Sequence, residues 1–133
     1  MKLFLFTDGG SRGNPGSAAT GIIIKNEKGK TLAAYGEYLG KQTNNYAEYM
    51  ATISGLKKAK ELGADEVECI VDSKLVCEQL NGNWKINEPT LQKLFVQAWN
   101  AMQQFKKVRI KHTLREGNKE ADAEVNKILD KNT

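Results

Sequence analysis

The order of strand-like and helix-like segments restricts the fold of this chain more than any other feature. Apolar runs predict five strands, which cover residues 3–7, 20–25, 31–39, 66–71 and 107–113. Apolar side chains spaced three or four apart predict four helices, which cover residues 45–62, 73–80, 89–105 and 118–129. Three strands before the first helix favour an antiparallel group, and the two later strands, reached through helices, favour parallel pairing. We expect an α/β fold, with a mixed five-stranded sheet flanked by helices.

Length and composition are those of one globular domain that covers residues 1–133. The apolar runs are too short to span a membrane, and residues 1–6 are too few for a signal peptide. Cys69 and Cys77 are too few for a disulfide framework and suit small buried side chains. The formal net charge of +4 weakly favours an anionic partner. These features predict a cytoplasmic monomer that binds no membrane.

Four well-separated acids stand where a carboxylate is unfavourable unless it is paired. Asp8 and Asp72 each follow an apolar strand. Glu48 lies early in the first helix, and Asp122 opens the last one. Burying such charges requires a cation or hydrogen-bond donors, and most of these acids have no Lys or Arg beside them. The pattern suggests a hard divalent ion, Mg²⁺ or Mn²⁺. The alternative is four ordinary surface acids.

A glycine-rich segment, residues 7–16, follows the first predicted strand, and we expect it to form a loop. Its glycines allow close approach of a ligand to the backbone, and Arg12 and Asn14 suit phosphate or sugar oxygens. One alternative is a tight turn between strands, which leaves Asp8 unexplained. Another is the phosphate loop of sugar-kinase and actin-type ATPases, which need a second domain that 133 residues cannot supply.

Polar and aromatic side chains also lie close to the predicted helix ends. We expect Asn44 or Asn45 to cap the first long helix, which leaves the other amide free for a base edge or a ribose hydroxyl. We expect Ser73 to cap the second helix. After that helix, Trp84 suits stacking on a base or sugar and Lys85 suits a phosphate. Packing beneath the loop is an equal alternative for Trp84.

His112 is the only histidine, and it ends the fifth predicted strand. Near a metal site, a histidine can move a proton at neutral pH, although a structural role is the alternative. The segment 116–118 contains a glycine and precedes Asp122, so we expect a mobile loop there.

Taken together, these segments resemble type 1 ribonuclease H from Thr7 to about Asp130. The motifs that carry the resemblance are Thr-Asp-Gly-Gly-Ser-Arg-Gly-Asn-Pro-Gly, Asn-Asn-Tyr-Ala-Glu-Tyr, Asp-Ser-Lys-Leu-Val and Arg-Glu-Gly-Asn-Lys-Glu-Ala-Asp, in that order. The resemblance implies a ribonuclease-H-like fold and two divalent ions, Mg²⁺ with Mn²⁺ as a substitute. It also implies endonucleolytic hydrolysis of the RNA strand of an RNA–DNA hybrid, leaving 5′-phosphate and 3′-hydroxyl ends.

The resemblance also implies roles for individual residues. The four acids fall on the family's metal-binding and catalytic acids: Asp8, Glu48, Asp72 and Asp122. His112 falls at the spacing of a mobile catalytic histidine. The chain lacks the basic helix that some members insert between the second and third helices, and in this it resembles the compact prokaryotic subgroup. In that subgroup the arginine at the position of Arg115 is a rival for the catalytic role of the histidine. The residues expected to bind substrate are Gly9, Ser11, Arg12, Asn14, Thr43, Asn44, Asn45, Ser73, Lys74, Trp84 and Lys85.

Two other functions remain compatible with the sequence. The same scaffold could carry a nuclease for duplex RNA or branched DNA junctions. A non-catalytic module that binds hybrids is a further alternative, which an incomplete set of acids would favour. This chain keeps all four acids.

Overall fold

The computed structural model describes residues 1–132. Six strands, four helices and a 3₁₀ turn alternate along the chain. In chain order they are β1 (Lys2–Gly13), β2 (Gly16–Asn26), β3 (Thr31–Tyr35), β4 (Tyr38–Gln42), α1 (Asn44–Glu61), β5 (Glu66–Val71), α2 (Lys74–Leu80), α3 (Pro89–Met102), β6 (Lys107–His112), the 3₁₀ turn (Arg115–Gly117) and α4 (Lys119–Lys131).

The strands form one mixed sheet in the order β3-β2-β1-β5-β6, with β4 paired to β2. β1, β2 and β3 are antiparallel, and β5 and β6 run parallel to β1. The predicted mixed sheet with flanking helices is therefore confirmed. Its predicted count of five strands is wrong, because the segment 31–39 contains the break between β3 and β4.

The break lies at Gly36 and Glu37, where the chain bonds to β2 outside the regular ladder. The Thr20 amide donates to the Glu37 carbonyl at 2.9 Å, and the Glu37 amide donates to Thr20 Oγ1 at 3.0 Å. A side chain at Gly36 would overlap the Thr20 carbonyl, so only glycine fits this close approach. After the break the chain pairs with β2 again as β4, with a register shift at Ala18 and Ala19.

β1 is longer than predicted and includes most of the segment expected to be a loop. It pairs with β2 from Leu3 opposite Asn26 as far as Gly13 opposite Gly16. Its parallel pairing with β5 ends earlier, at Thr7 opposite Val71. Asp8 therefore lies inside β1, at the point where β1 continues beyond its parallel neighbour.

Helices cover both faces of the sheet. α1 packs on one face over a large buried cluster that includes Leu5, Tyr49 and Leu56, and α3 packs against α1. α4 packs on the other face through Val125 and Leu129. Cys69 and Cys77 are buried free thiols, and among residues 1–132 no helix is both long and apolar enough to cross a membrane.

Local signals place most helix ends. Ser73 caps α2, as predicted, by accepting the Val76 amide at 3.2 Å. α3 begins at Pro89, also as predicted. The cap of α1 is Thr43, whose Oγ1 accepts the Tyr46 amide at 3.1 Å, so the expectation that an asparagine caps this helix is wrong.

Gly9 is expected to tolerate no side chain, because a Cβ there would overlap the backbone of Ala47 and Glu48 in α1. We predict that Gly9→Ala lowers the free energy of unfolding by about 1–3 kcal/mol, the usual range for overpacking. Gly10→Ala is the matched control, because its Cβ would meet only Val125 Cγ1 at 3.4 Å. Urea melts of both variants measure the difference, and equal midpoints would contradict the assignment.

Candidate active site

Three carboxylates meet at one end of the sheet. Asp8, Glu48 and Asp72 each offer one oxygen, and these oxygens all lie within 4.8 Å of one another. Asp8 is buried at 6% exposure, whereas the other two acids are partly exposed. The group therefore opens to solvent on one side and rests on the sheet on the other.

The sheet register explains why two of these acids are neighbours. Thr7 and Val71 are the last parallel pair of β1 and β5, so the next residues, Asp8 and Asp72, leave the pairing side by side. This edge is the carboxyl end of the parallel strands, where ligands of α/β sheets usually bind. Glu48 joins them because Gly9 lets α1 approach β1 at the Glu48 backbone.

Asp122 lies in the first turn of α4 and is not one of the three clustered acids. Its charge nevertheless raises the pKa of both Asp8 and Asp72, which places it beside them. Asn126, one turn later, donates from Nδ2 to Asp122 Oδ2 at 3.3 Å. The structure thus gathers all four predicted acids, three as a cluster and the fourth next to it.

Burial and mutual repulsion make these acids hard to ionise together. Burial, followed by the charges of Asp72 and Asp122, raises the pKa of Asp8 to about 8. Burial and the charges of Asp8 and Asp72 raise the pKa of Glu48 well above its usual value, against the effect of a hydrogen bond with the Gly9 backbone. Burial also raises the pKa of Asp72, and the positive charge of Arg115 opposes that rise.

The chemistry of this donor set fits a hard divalent cation. None of the salt bridges found within residues 1–132 involves Asp8, Glu48, Asp72 or Asp122. Crowded carboxylate oxygens without a basic partner in hydrogen-bonding contact are the ligand type that Mg²⁺ and Mn²⁺ prefer. Such an ion would relieve the repulsion that raises the pKa of Asp8.

The two candidates for an auxiliary catalytic role differ in position. His112 is exposed at the end of β6, where it pairs with Val71 next to Asp72. Arg115 begins the 3₁₀ turn, and its charge acts on Asp72. Both candidates therefore lie near Asp72, and the charge of Arg115 favours the ionised form of Asp72.

Three of the predicted substrate-binding residues are tied to one another. Asn44 Oδ1 accepts two hydrogen bonds from Ser11, from its amide at 2.8 Å and from Oγ at 2.9 Å. The backbone N–H of Asn44 in turn donates to Asn14 Oδ1 at 3.0 Å. We call Ser11, Asn14 and Asn44 the asparagine bridge. It joins the β1–β2 hairpin to the start of α1.

A cleft of about 450 Å³ adjoins the asparagine bridge. Asn45 is exposed and lines this cleft together with Asn14, Thr43 and Glu88. The Thr43 hydroxyl oxygen already accepts a hydrogen bond as the cap of α1. The structure thus brings Asn14, Thr43 and Asn45 to one opening.

The remaining predicted binding residues have contacts within the fold. Arg12 forms a salt bridge with Asp130, with Nη2 and Oδ1 2.6 Å apart. Lys74 Nζ lies 6.0 Å from the centre of the Trp84 ring, and that ring is 45% exposed. Lys85 has an exposed side chain and accepts a hydrogen bond through its backbone carbonyl from Gln79 Nε2 at 3.3 Å.

Gly9 and Ser73, also predicted to bind substrate, serve the local fold. Gly9 permits the contact between β1 and α1, and Ser73 caps α2.

Asn118, which carried no predicted role, is buried at 2% exposure and bonds to β1. Residues 115–117 form a 3₁₀ turn that ends just before that buried side chain, and the expected mobility of this segment stays a prediction. No local sequence pattern predicts the contact of Asn118 with β1, because its partner, Thr7, lies 111 residues away.

The six-stranded mixed sheet and its acid cluster define a ribonuclease-H-like domain. Residues 6–128 match the sequence model of the reverse transcriptase-like family. The crystal structure of ribonuclease H1 from Halobacterium salinarum is 40% identical, with a TM-score of 0.96 over 98% of this chain and 99% of that one. The chain therefore belongs to the type 1 ribonuclease H family.

Two further relatives extend the comparison. LC11 ribonuclease H1, solved in complex with an RNA/DNA hybrid, is 39% identical with a TM-score of 0.92, and the match covers 97% of each chain. A bifunctional protein of Mycobacterium tuberculosis is 43% identical over 131 residues. That match covers 98% of this chain but only 36% of the mycobacterial protein. The match to the curated Halobacterium ribonuclease HI covers 65% of that relative.

Removing one clustered acid should stabilise the protein when no metal is present. Folding raises the pKa of Asp8 from 3.8 to about 8, so the carboxyl group destabilises the folded state wherever the unfolded chain would ionise it. This destabilisation is smallest near pH 4 and grows as the pH rises to 8. We predict that Asp8→Asn in EDTA raises the free energy of unfolding by more than about 1 kcal/mol above pH 8, and by little near pH 4.

Denaturant melts across this pH range measure the effect. Glu27→Gln, which removes one acid from an exposed turn, is the matched control for the loss of a charge. A gain that is the same at pH 4 and pH 9 would contradict the electrostatic explanation. Mg²⁺ should reverse the order by stabilising the wild-type protein selectively.

Proposed function

We propose that this protein is an endoribonuclease that hydrolyses the RNA strand of RNA–DNA hybrids and leaves 5′-phosphate and 3′-hydroxyl ends. The observation that carries the proposal is the cluster of Asp8, Glu48 and Asp72, with oxygens within 4.8 Å of one another and Asp122 beside them. Family membership supports it, and so does the LC11 relative, which was solved with an RNA/DNA hybrid.

We propose that the acids hold two Mg²⁺ ions, for which Mn²⁺ substitutes. Asp8 would contribute to both sites, with Glu48 and Asp72 at one and Asp122 at the other. When bound, the ions would activate the attacking water and stabilise the leaving 3′ oxygen. The buried position of Asp8 supports its central place, because Glu48, Asp72 and Asp122 all approach it from different elements.

The chain's own residues would orient the substrate. The side-chain oxygens of Asn14 and Asn44 accept hydrogen bonds within the asparagine bridge, so their side-chain Nδ2 groups would serve as donors for the minor groove of a hybrid. Exposed Asn45 would make the same kind of contact from the adjoining cleft. Contacts to 2′-hydroxyl groups select an RNA strand, because DNA lacks them.

Basic and aromatic side chains would bind the nucleic acid without recognising its sequence or the type of its strands. The Lys74 ammonium lies 6.0 Å from the centre of the exposed Trp84 ring, and Lys85 follows Trp84 in the sequence with an exposed side chain. Ammonium groups bind phosphates and indole rings stack on bases or sugars. Arg12 would have to leave Asp130 to reach a phosphate, which makes it the weaker candidate.

We predict that the wild-type protein cleaves a labelled RNA–DNA hybrid in Mg²⁺ and not in EDTA. Asp8→Asn should abolish cleavage, because it removes the acid that all the others surround, and Glu27→Gln should leave the rate unchanged. Gel assays on matched hybrid, duplex RNA, duplex DNA and a branched DNA junction measure the preference. Faster cleavage of one of the other three substrates would contradict the proposed specificity for hybrids. Tight binding of the hybrid without cleavage would indicate a non-catalytic binding module.

A second prediction separates Arg115 from His112. Arg115 holds down the pKa of Asp72, so Arg115→Ala should raise that pKa further and move the acid limb of kcat/KM to higher pH. We expect a fall in kcat of about 10²-fold for Arg115→Ala and a smaller fall for His112→Ala. Arg109→Ala, which removes an exposed arginine from β6, is the control. A silent Arg115→Ala with a slow His112→Ala would assign the role to His112.

A further inference from the structure

Asn118 connects the strand of Asp8 to the helix of Asp122. Its Nδ2 donates to the backbone carbonyl of Thr7 at 2.8 Å, across 111 residues of sequence. Thr7 directly precedes Asp8 in β1. The Asn118 side chain is 2% exposed, so this contact is inside the protein.

The same residue also holds Asp122 through its backbone. The Asn118 carbonyl accepts the Asp122 amide at 3.1 Å, in the first turn of α4. Two hydrogen bonds and one residue therefore join the backbone before Asp8 to the backbone of Asp122.

Helix capping does not account for the Asn118 side chain. Asparagine at this position normally accepts a helix amide through its side-chain oxygen, but here no side-chain cap bond is formed. Within residues 1–132, Oδ1 is buried and has no hydrogen-bond partner. Because only the amide nitrogen can donate to the Thr7 carbonyl, the side chain is oriented for β1 rather than for its own helix.

The attachment of α4 to the sheet has other supports. Val125 and Leu129 bury its apolar side, and a side chain at Gly21 would overlap the Ala121 carbonyl, which shows how closely the helix approaches β2. Glu120 Oε1 lies 2.6 Å from Lys25 Nζ. Loss of the Asn118 contact should therefore shift the first turn locally and leave α4 in place.

We propose that Asn118 is a positioning residue that sets the place of Asp122 relative to Asp8 and thereby the affinity of the acids for a divalent ion. The inference rests on the proposed function in assigning these acids to metal binding. It goes further in naming a residue that touches no metal and no substrate. Outer contacts of this kind typically change metal affinity or activity by about 10–100-fold when removed.

Binding of Mn²⁺ alone, followed by its electron paramagnetic resonance signal, tests the proposal without nucleic acid. We expect Asn118→Ala to weaken Mn²⁺ binding by about tenfold when Asp122 is present. In an Asp122→Asn background the same change should have no further effect, because Asn118 acts through Asp122. Glu120→Gln, which breaks a salt bridge at the same helix turn, should leave Mn²⁺ affinity unchanged.

Wild-type Mn²⁺ affinity in Asn118→Ala, accompanied only by a lower melting temperature, would overturn the proposal. An undiminished effect in the Asp122→Asn background would overturn it too. If Asn118→Ala does not fold, Asn118→Leu, which keeps a similar shape, cannot donate to the Thr7 carbonyl and adds no charge beside the acids, gives the same comparison. Absence of hybrid cleavage by the wild-type protein would defeat the proposed function, whereas the Mn²⁺ isotherms would still decide the role of Asn118.

Discussion

The burial of Asp8 inside a strand is the constraint on which the rest of the site depends. A carboxylate at 6% exposure next to other acids is unstable as an anion unless a cation joins it. Each neighbouring element adds a further carboxylate that could hold such a cation: β5 ends just before Asp72, α1 approaches through Gly9 and brings Glu48, and α4 carries Asp122 in its first turn. The hydrophobic core reaches the neighbours of these acids, because it includes Tyr49 next to Glu48 and Val71 next to Asp72.

The sequence predicted elements with strong local signals and failed where tertiary packing decides. Strand β5 was predicted with its observed bounds, and Pro89 marked the start of α3. The glycines after Asp8 indicated a loop because glycine is depleted in strands, but the antiparallel partner β2 keeps them in β1. The break at Gly36 follows from hydrogen bonds to Thr20, which no local pattern announces.

The candidate site shows the same division. Acids at strand ends and helix starts were recognisable because their positions are unusual for charge, and the structure brings all four together. The individual contacts of the polar residues were not recognisable. Thr43 rather than an asparagine caps α1, Arg12 is paired with Asp130, and Asn118 reaches across the fold to β1. Such contacts depend on distances between segments that are far apart in sequence.

The asparagine bridge has a consequence for recognition. Because Ser11, Asn14 and Asn44 are already hydrogen-bonded to one another, their side chains lose little conformational entropy when a ligand arrives. A preorganised surface of this kind favours ligands whose groove width matches a fixed spacing, and it adapts poorly to other widths. Under the proposed function, discrimination between helical forms of nucleic acid would then come from the rigidity of the hairpin and α1, in addition to the chemistry of the groups that they carry.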